Sequence, residues 1–141
     1  MWLDAFEHRY VEEVGAMNAM FVYEDRIETP PLSGSILPGV TRQSVIDLAR
    51  HLGLRVDETR VDINTILSDA RSGALREAFG CGTAAVISPI DTFLDADERV
   101  AVNQGKIGAT TLRLKQALLD IQIGSAPDPF GWRVAVRCHA H

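Results

Sequence analysis

Three short amphipathic helices, each closed by a glycine and separated by apolar runs of strand length, most restrict what this chain can fold into. Thr41 to Leu52 puts Val45, Leu48, Ala49 and Leu52 at i, i+3, i+4 and i+7, which makes one apolar face. Gly53 lies where a C-terminal cap belongs. Asp62 is an N-cap for a second helix, with Ile63, Ile66, Leu67 and Ala70 on one face and Gly73 at its end. Ala109 to Ile123 is the third, with Leu114, Ala117, Leu118 and Ile121 inward and Gly124 beyond. Helices of this length must bury their stripes against another layer, and the intervening segments supply one.

Those segments read as strands and hairpins. Arg9 to Gly15 is a short strand with two adjacent carboxylates, Glu12 and Glu13, of which one must face inward if the strand is half buried, the alternative being a solvated edge. Met17 to Tyr23 is a dense apolar run that fits a buried strand. Glu24-Asp25 turns it back through Arg26 to Thr29, and Pro30-Pro31 ends the hairpin because proline cannot donate to a ladder. Leu54 to Val56 and Thr59 to Val61 predict one bent strand, and Ala84 to Ile87 a buried one closed by Ser88-Pro89. Ile90 to Val102 predicts a hairpin tipped by Asp95-Ala96-Asp97, Ser125 to Gly131 a loop, and Trp132 to Val136 a last strand. The alternation implies an α/β domain of mixed α+β type, with a mixed or barrel-like sheet rather than a doubly wound one.

A chain of 141 residues, 46% apolar and 23% charged, suits one soluble domain with its own core. A net charge of −5 argues against nucleic acid, whose phosphates select basic surfaces. No apolar run reaches the roughly 18–20 residues of a membrane span. Met1 to His8 shows no basic segment followed by an apolar core, so no signal peptide is visible. Cys81 and Cys138 match no metal spacing, and two lone cysteines fit a reducing, cytoplasmic setting.

Two glycine-bearing turns carry the strongest chemical signal. Leu37-Pro38-Gly39-Val40-Thr41-Arg42 opens the first helix, and Phe79-Gly80-Cys81-Gly82-Thr83-Ala84 sits between two apolar runs. Each offers free backbone N–H groups, little bulk and a Thr hydroxyl, and the helix start adds the positive end of its dipole. Together they make two halves of a phosphate cradle that needs no basic cluster. Neither is a P-loop or a full dinucleotide fingerprint, and glycines there also serve plain tight turns.

A nucleophile is harder to find. Lys106 lies in a polar loop and Lys115 sits off the apolar face of the third helix, so neither has the apolar setting of a Schiff-base lysine. His8 and His51 stand in polar contexts. Cys138, His139 and His141 give only a weak metal pattern on a tail. Cys81 between glycines suits either a reactive thiol or a small packed residue.

At these same positions the chain resembles the branched-chain amino-acid aminotransferases, class IV enzymes of fold type IV that use pyridoxal 5'-phosphate. The resemblance rests on Glu13-Val14-Gly15-Ala16-Met17-Asn18, on Thr29-Pro30-Pro31 through Gly39-Val40-Thr41-Arg42, and on Phe79-Gly80-Cys81-Gly82-Thr83-Ala84, and it runs from Trp2 to about Val136. It implies a barrel-like large domain, here incomplete: residues 1–136 as the C-terminal part of the cofactor-binding domain and 137–141 as a tail. It implies that Glu13 pairs with the pyridine nitrogen, and that Val40, Thr41, Gly82 and Thr83 hold the phosphate. Ala16, Ala84 and Ala85 lie where the family holds the substrate carboxylate and shapes the side-chain pocket. The implied reaction moves an amino group between leucine, isoleucine or valine and 2-oxoglutarate, in a cytoplasmic enzyme that is a homodimer when whole.

Two departures qualify the resemblance. Cys81 stands where Ser or Thr is commoner, and Ala85 and Ser88 occupy the region of a redox Cys-x-x-Cys found in some relatives, so no redox switch is implied. The family's Schiff-base lysine lies upstream of the Glu13 motif, in a segment this sequence does not contain. The chain is therefore expected to need a missing N-terminal part for turnover. The alternative is a non-catalytic remnant or a binder of phosphate-bearing ligands.

Overall fold

A computed structural model of the chain describes residues 1–136. Ten strands and three α-helices follow in order: β1 (Trp2–Leu3), β2 (Tyr10–Val14), β3 (Met17–Val22), β4 (Ile27–Thr29), α1 (Val40–His51), β5 (Val56–Glu58), β6 (Val61–Asp62), α2 (Ile63–Ser72), β7 (Glu77–Gly82), β8 (Val86–Ile90), β9 (Thr92–Asp95), β10 (Glu98–Ala101) and α3 (Ala109–Ile123). Eight strands form one sheet, and β9 and β10 pair as a separate hairpin.

The sheet is built on β3. One edge of β3 pairs antiparallel with β7 from Asn18 to Val22. The other edge is shared: Met17 and Asn18 pair with β2, whereas Phe21 and Val22 pair with β4. Strand β2 likewise divides an edge between β3 and β6. The sheet therefore forks, one arm running to β5, which joins β4 in parallel, and the other to β6. The expected bent strand over 54–61 is thus two strands on different arms.

The core has two halves, one on each face. Met20, Val22, Phe79, Cys81 and Ile87 meet α1 (Val45, Ile46, Leu48, Ala49) and α3 (Leu114, Leu118, Ile121). Ala19, Phe21 and Ala78 meet α2 (Ile66, Leu67, Ala70) and the hairpin through Phe93 and Val100. Strands β3 and β7 are covered on both faces, which is why Met17 to Val22 is apolar without alternation.

Helix ends follow the capping chemistry closely. Asp62 accepts from the Asn64 N–H at 2.9 Å, and Gly73 and Gly124 close α2 and α3 in the left-handed conformation. Two further strand expectations fail. Gly80-Cys81-Gly82 belongs to β7, so the reversal falls at 83–85, and Ala84 and Ala85 are exposed in it rather than buried in a strand. Strand β8 then runs through Ser88 and Pro89, because it pairs with β7 alone and proline's missing donor lies on its free edge. Trp132 to Val136 forms no strand; Trp132 instead stacks on Phe130 with ring centroids 4.1 Å apart. The expectation of a tail over 137–141, with Cys138, His139 and His141, falls outside the described residues. Among the described residues no helix is long and apolar enough to cross a membrane.

Candidate functional site

Strand register gathers the motif residues at one end of the sheet. Glu13 on β2 is paired with Asn18 on β3, and Asn18 with Cys81 on β7, a row across three neighbouring strands. Just beyond that row lie two hairpin turns, Gly15-Ala16 between β2 and β3 and Thr83-Ala84-Ala85 between β7 and β8. Gly82 packs on Met17 and the Ala16 carbonyl, so the two turns are neighbours. The start of α1 reaches the same end, where Gly39 lies against the Asn18 side chain. Glu13, Ala16, Val40, Thr41, Gly82, Thr83, Ala84 and Ala85 therefore share one rim, although they span three separate stretches of sequence.

The two carboxylates do not divide into one inward and one outward. The register between β1 and β2 slips at Trp2/Leu3, the signature of a bulge. The slip lets Val11 and Val14, three residues apart, both join the core half under α2. It leaves Glu12 and Glu13 both half buried, and both hold the 33–39 loop. Glu12 accepts from the Ser35 hydroxyl, and Glu13 Oε1 accepts from the Leu37 N–H at 3.2 Å. Asn18 Nδ2 donates to the Leu37 carbonyl at 3.0 Å. Leu37 is thus gripped through both its N–H and its carbonyl, directly before the helix.

Helix α1 differs from α2 and α3 at its start. Its N-cap, Gly39, has no side chain to accept from the first turn, and that turn holds no acidic residue. Helix α2 is capped by Asp62, and α3 by Glu77, which accepts from the Thr110 and Thr111 N–H groups at 2.9 and 2.7 Å. The first N–H groups of α1 open onto the rim, where Val40 is 81% exposed. A bare helix start of this kind suits an anion.

Arg42 lies further into the same helix and is only 1% exposed. Its Nη2 donates to the Pro30 carbonyl and to Glu58 Oε2, each at 2.9 Å, which ties α1 to the ends of β4 and β5. The guanidinium holds the Glu58 carboxyl below its usual range. Arg42 and Asn18 support the rim, and the motif reading assigned a role to neither. Both stand inside motifs that signalled the site, but their partners include backbone groups of Pro30 and Leu37, which sequence cannot pair.

The other candidate groups stand apart. Cys81 is fully buried, and burial pushes its thiol up to about 12, so it is a packed residue and not a nucleophile at neutral pH. Lys106 is exposed just before α3, whose start Glu77 caps at the opposite end of β3 and β7. Lys115 is half buried midway along α3. His51 meets Phe130 edge to face at 5.4 Å. No group of three metal-ligating side chains occurs among the described residues. The rim thus offers a carboxylate at one position and neutral donors at another, and neither lysine belongs to it.

Residues 6–93 match the class IV amino-transferase family. A probable branched-chain-amino-acid aminotransferase of Staphylococcus aureus (strain N315) is 46% identical over 136 residues, covering 96% of this chain and 38% of the relative. The solved branched-chain amino acid aminotransferase of Escherichia coli superposes with a TM-score of 0.77 at 32% identity, covering 92% of this chain and 40% of that one. The T.th. branched-chain amino acid aminotransferase with pyridoxamine 5'-phosphate gives a TM-score of 0.78 at 31% identity, covering 94% of this chain and 39% of that one. This chain thus spans about two-fifths of the length of such relatives. With the family matched across 6–93 and the motifs on one rim, the chain belongs to the class IV aminotransferases.

Proposed function

We propose that this chain is the C-terminal, cofactor-binding part of a branched-chain-amino-acid aminotransferase, and that its rim holds pyridoxal 5'-phosphate. The observation that carries the reading is the register that brings Glu13, the uncapped start of α1 and the 83–85 turn to one end of the sheet. When bound, the cofactor supplies a pyridine ring that draws electrons from the carbon bearing the amino group. Glu13 would accept the pyridine N–H. The N–H groups of Val40 and Thr41, with the hydroxyls of Thr41 and Thr83 and the backbone of Gly82, would hold the phosphate. The residues present fit that group: the helix start has no cap of its own, and every assigned phosphate donor is uncharged.

Ala16, Ala84 and Ala85 are exposed on the rim and leave room beside it for an aliphatic side chain. Their backbone groups would orient the carboxylate of leucine, isoleucine, valine or the matching 2-oxo acid. The rim is open, so the second wall and the Schiff-base lysine would come from the rest of the enzyme. The same reading sets the whole enzyme in the cytoplasm as a homodimer, with branched-chain amino-acid biosynthesis as its setting.

Titration of the 141-residue chain with pyridoxal 5'-phosphate, with inorganic phosphate as competitor, tests the cradle. Saturable binding that phosphate displaces is expected, weakened about tenfold or more in Thr83→Ala. Leucine and 2-oxoglutarate should give no turnover with the chain alone. Turnover is expected after mixing with the N-terminal part of a branched-chain aminotransferase. A steady rate from the chain by itself would overturn this division of labour, and absent binding would favour a non-catalytic remnant.

A further inference from the structure

Asn18 is 5% exposed, and both ends of its amide face the segment that leads into α1. Its Nδ2 donates to the Leu37 carbonyl at 3.0 Å. Its Oδ1 faces Gly39 so closely that a Cβ there would stand 2.4 Å away and would force the amide to move. Leu37 also donates its N–H to Glu13 Oε1 at 3.2 Å. Glu13 and Asn18 are direct cross-strand partners as well. The carboxylate, the amide, Leu37 and the helix N-cap therefore form a continuous chain of contacts from β2 to the first turn of α1. We infer that Asn18 is a positioning residue: it sets the α1 start at a fixed spacing from Glu13, so that one ligand can meet both at once.

The inference rests on the reading that the rim takes pyridoxal 5'-phosphate, whose ring nitrogen and phosphate are held apart by the pyridine ring and the short methylene arm that carries the phosphate. Asn18 acts on neither end directly but by holding Leu37 and Gly39. A ligand that uses the phosphate cradle without Glu13 does not need that spacing, whereas a ligand that meets both does.

The experiment compares two probes on the 141-residue chain. Inorganic phosphate reports the phosphate cradle, made by the helix start and the 82–83 turn, and pyridoxal 5'-phosphate reports that cradle together with Glu13. In the parent chain the cofactor should bind more tightly than phosphate. In Asn18→Ala that advantage should shrink about tenfold while phosphate affinity stays within about twofold of the parent. Asn18→Asp keeps the size but turns the donor into an acceptor facing the Leu37 carbonyl, and it should lose the advantage as well. An unchanged ratio in both variants overturns the role of Asn18 and leaves the cofactor reading standing. Equal loss of both probes, or unfolding of both variants by circular dichroism, also overturns it, because Asn18 would then support the fold and not the spacing. Failure of the parent chain to bind the cofactor overturns the cofactor reading, and this inference with it.

Discussion

Asp4 shows how much one side chain can organise at the residue scale. Its carboxylate accepts from the N–H groups of Phe6, Glu7, Arg9 and Tyr10 at 3.3, 2.7, 3.0 and 2.8 Å, which shapes the turn between β1 and β2. These donors, led by Tyr10, hold its carboxyl well below the ordinary value of 3.8. A carboxylate whose folded pKa is depressed stabilises the fold above its unfolded pKa, and that stabilisation is lost as pH falls through the lower folded value. The chain should therefore lose stability on acidification below about pH 4. Asp4→Asn should melt lower than the parent at neutral pH, and its melting temperature should fall less between neutral pH and about pH 2. Melting curves across that range check both signs. Parallel curves for the two proteins would show that the Asp4 contacts contribute nothing through charge.

At the scale of elements, the three helices begin in three ways. Helix α2 carries its own cap in Asp62, so cap and helix are legible together in sequence. Helix α3 borrows its cap from β7: Glu77 is buried and also accepts from the Thr111 hydroxyl at 2.7 Å. Glu77→Gln keeps the shape but replaces an acceptor oxygen by a donor that faces N–H groups. It should cost about 1–3 kcal/mol, read as a shift of the urea midpoint with an unchanged slope. No local pattern could have revealed this cap, because its partners lie 33 and 34 residues away. The same limit explains the misread strand at β7. Glycines at 80 and 82 signal a turn locally, yet Gly80 is needed inside the sheet, where a Cβ would approach Met17 Cε to 2.8 Å. The third helix was legible to its last residue because its period and its closing glycine lie within it. The candidate site was legible as motifs but not as a rim. Glu13 and the 83–85 turn reach one rim only through the β2–β3–β7 register, and Thr41 only through the approach of Gly39 to Asn18, while Asn18 and Arg42 act through backbone groups on other segments.

At the scale of the whole molecule, the two core halves share the same two strands. Phe21 on β3 faces the α2 half and is fully buried, and Phe79 on β7 faces the α1 and α3 half and is fully buried. The strands pair from Asn18 to Val22, so neither half can lose its sheet face without stripping the other. This predicts one cooperative transition rather than two. Phe21→Ala and Phe79→Ala should each cost about 3–5 kcal/mol, a large part of the stability of a domain this size. The two tryptophans give separate readouts. Trp2 is tied to the rim by its Nε1 donating to the Gly15 carbonyl at 2.9 Å, whereas Trp132 stacks on Phe130, which packs against the α1 and α3 half. Single-tryptophan versions, Trp132→Phe for the first and Trp2→Phe for the second, should therefore unfold in urea at the same midpoint as each other and as far-UV circular dichroism. Phe79→Ala should move both midpoints together, although its side chain belongs to only one half. A shift confined to the Trp132 signal would mean that the faces melt independently, and that the forked sheet carries two units joined at β3 and β7 instead of one.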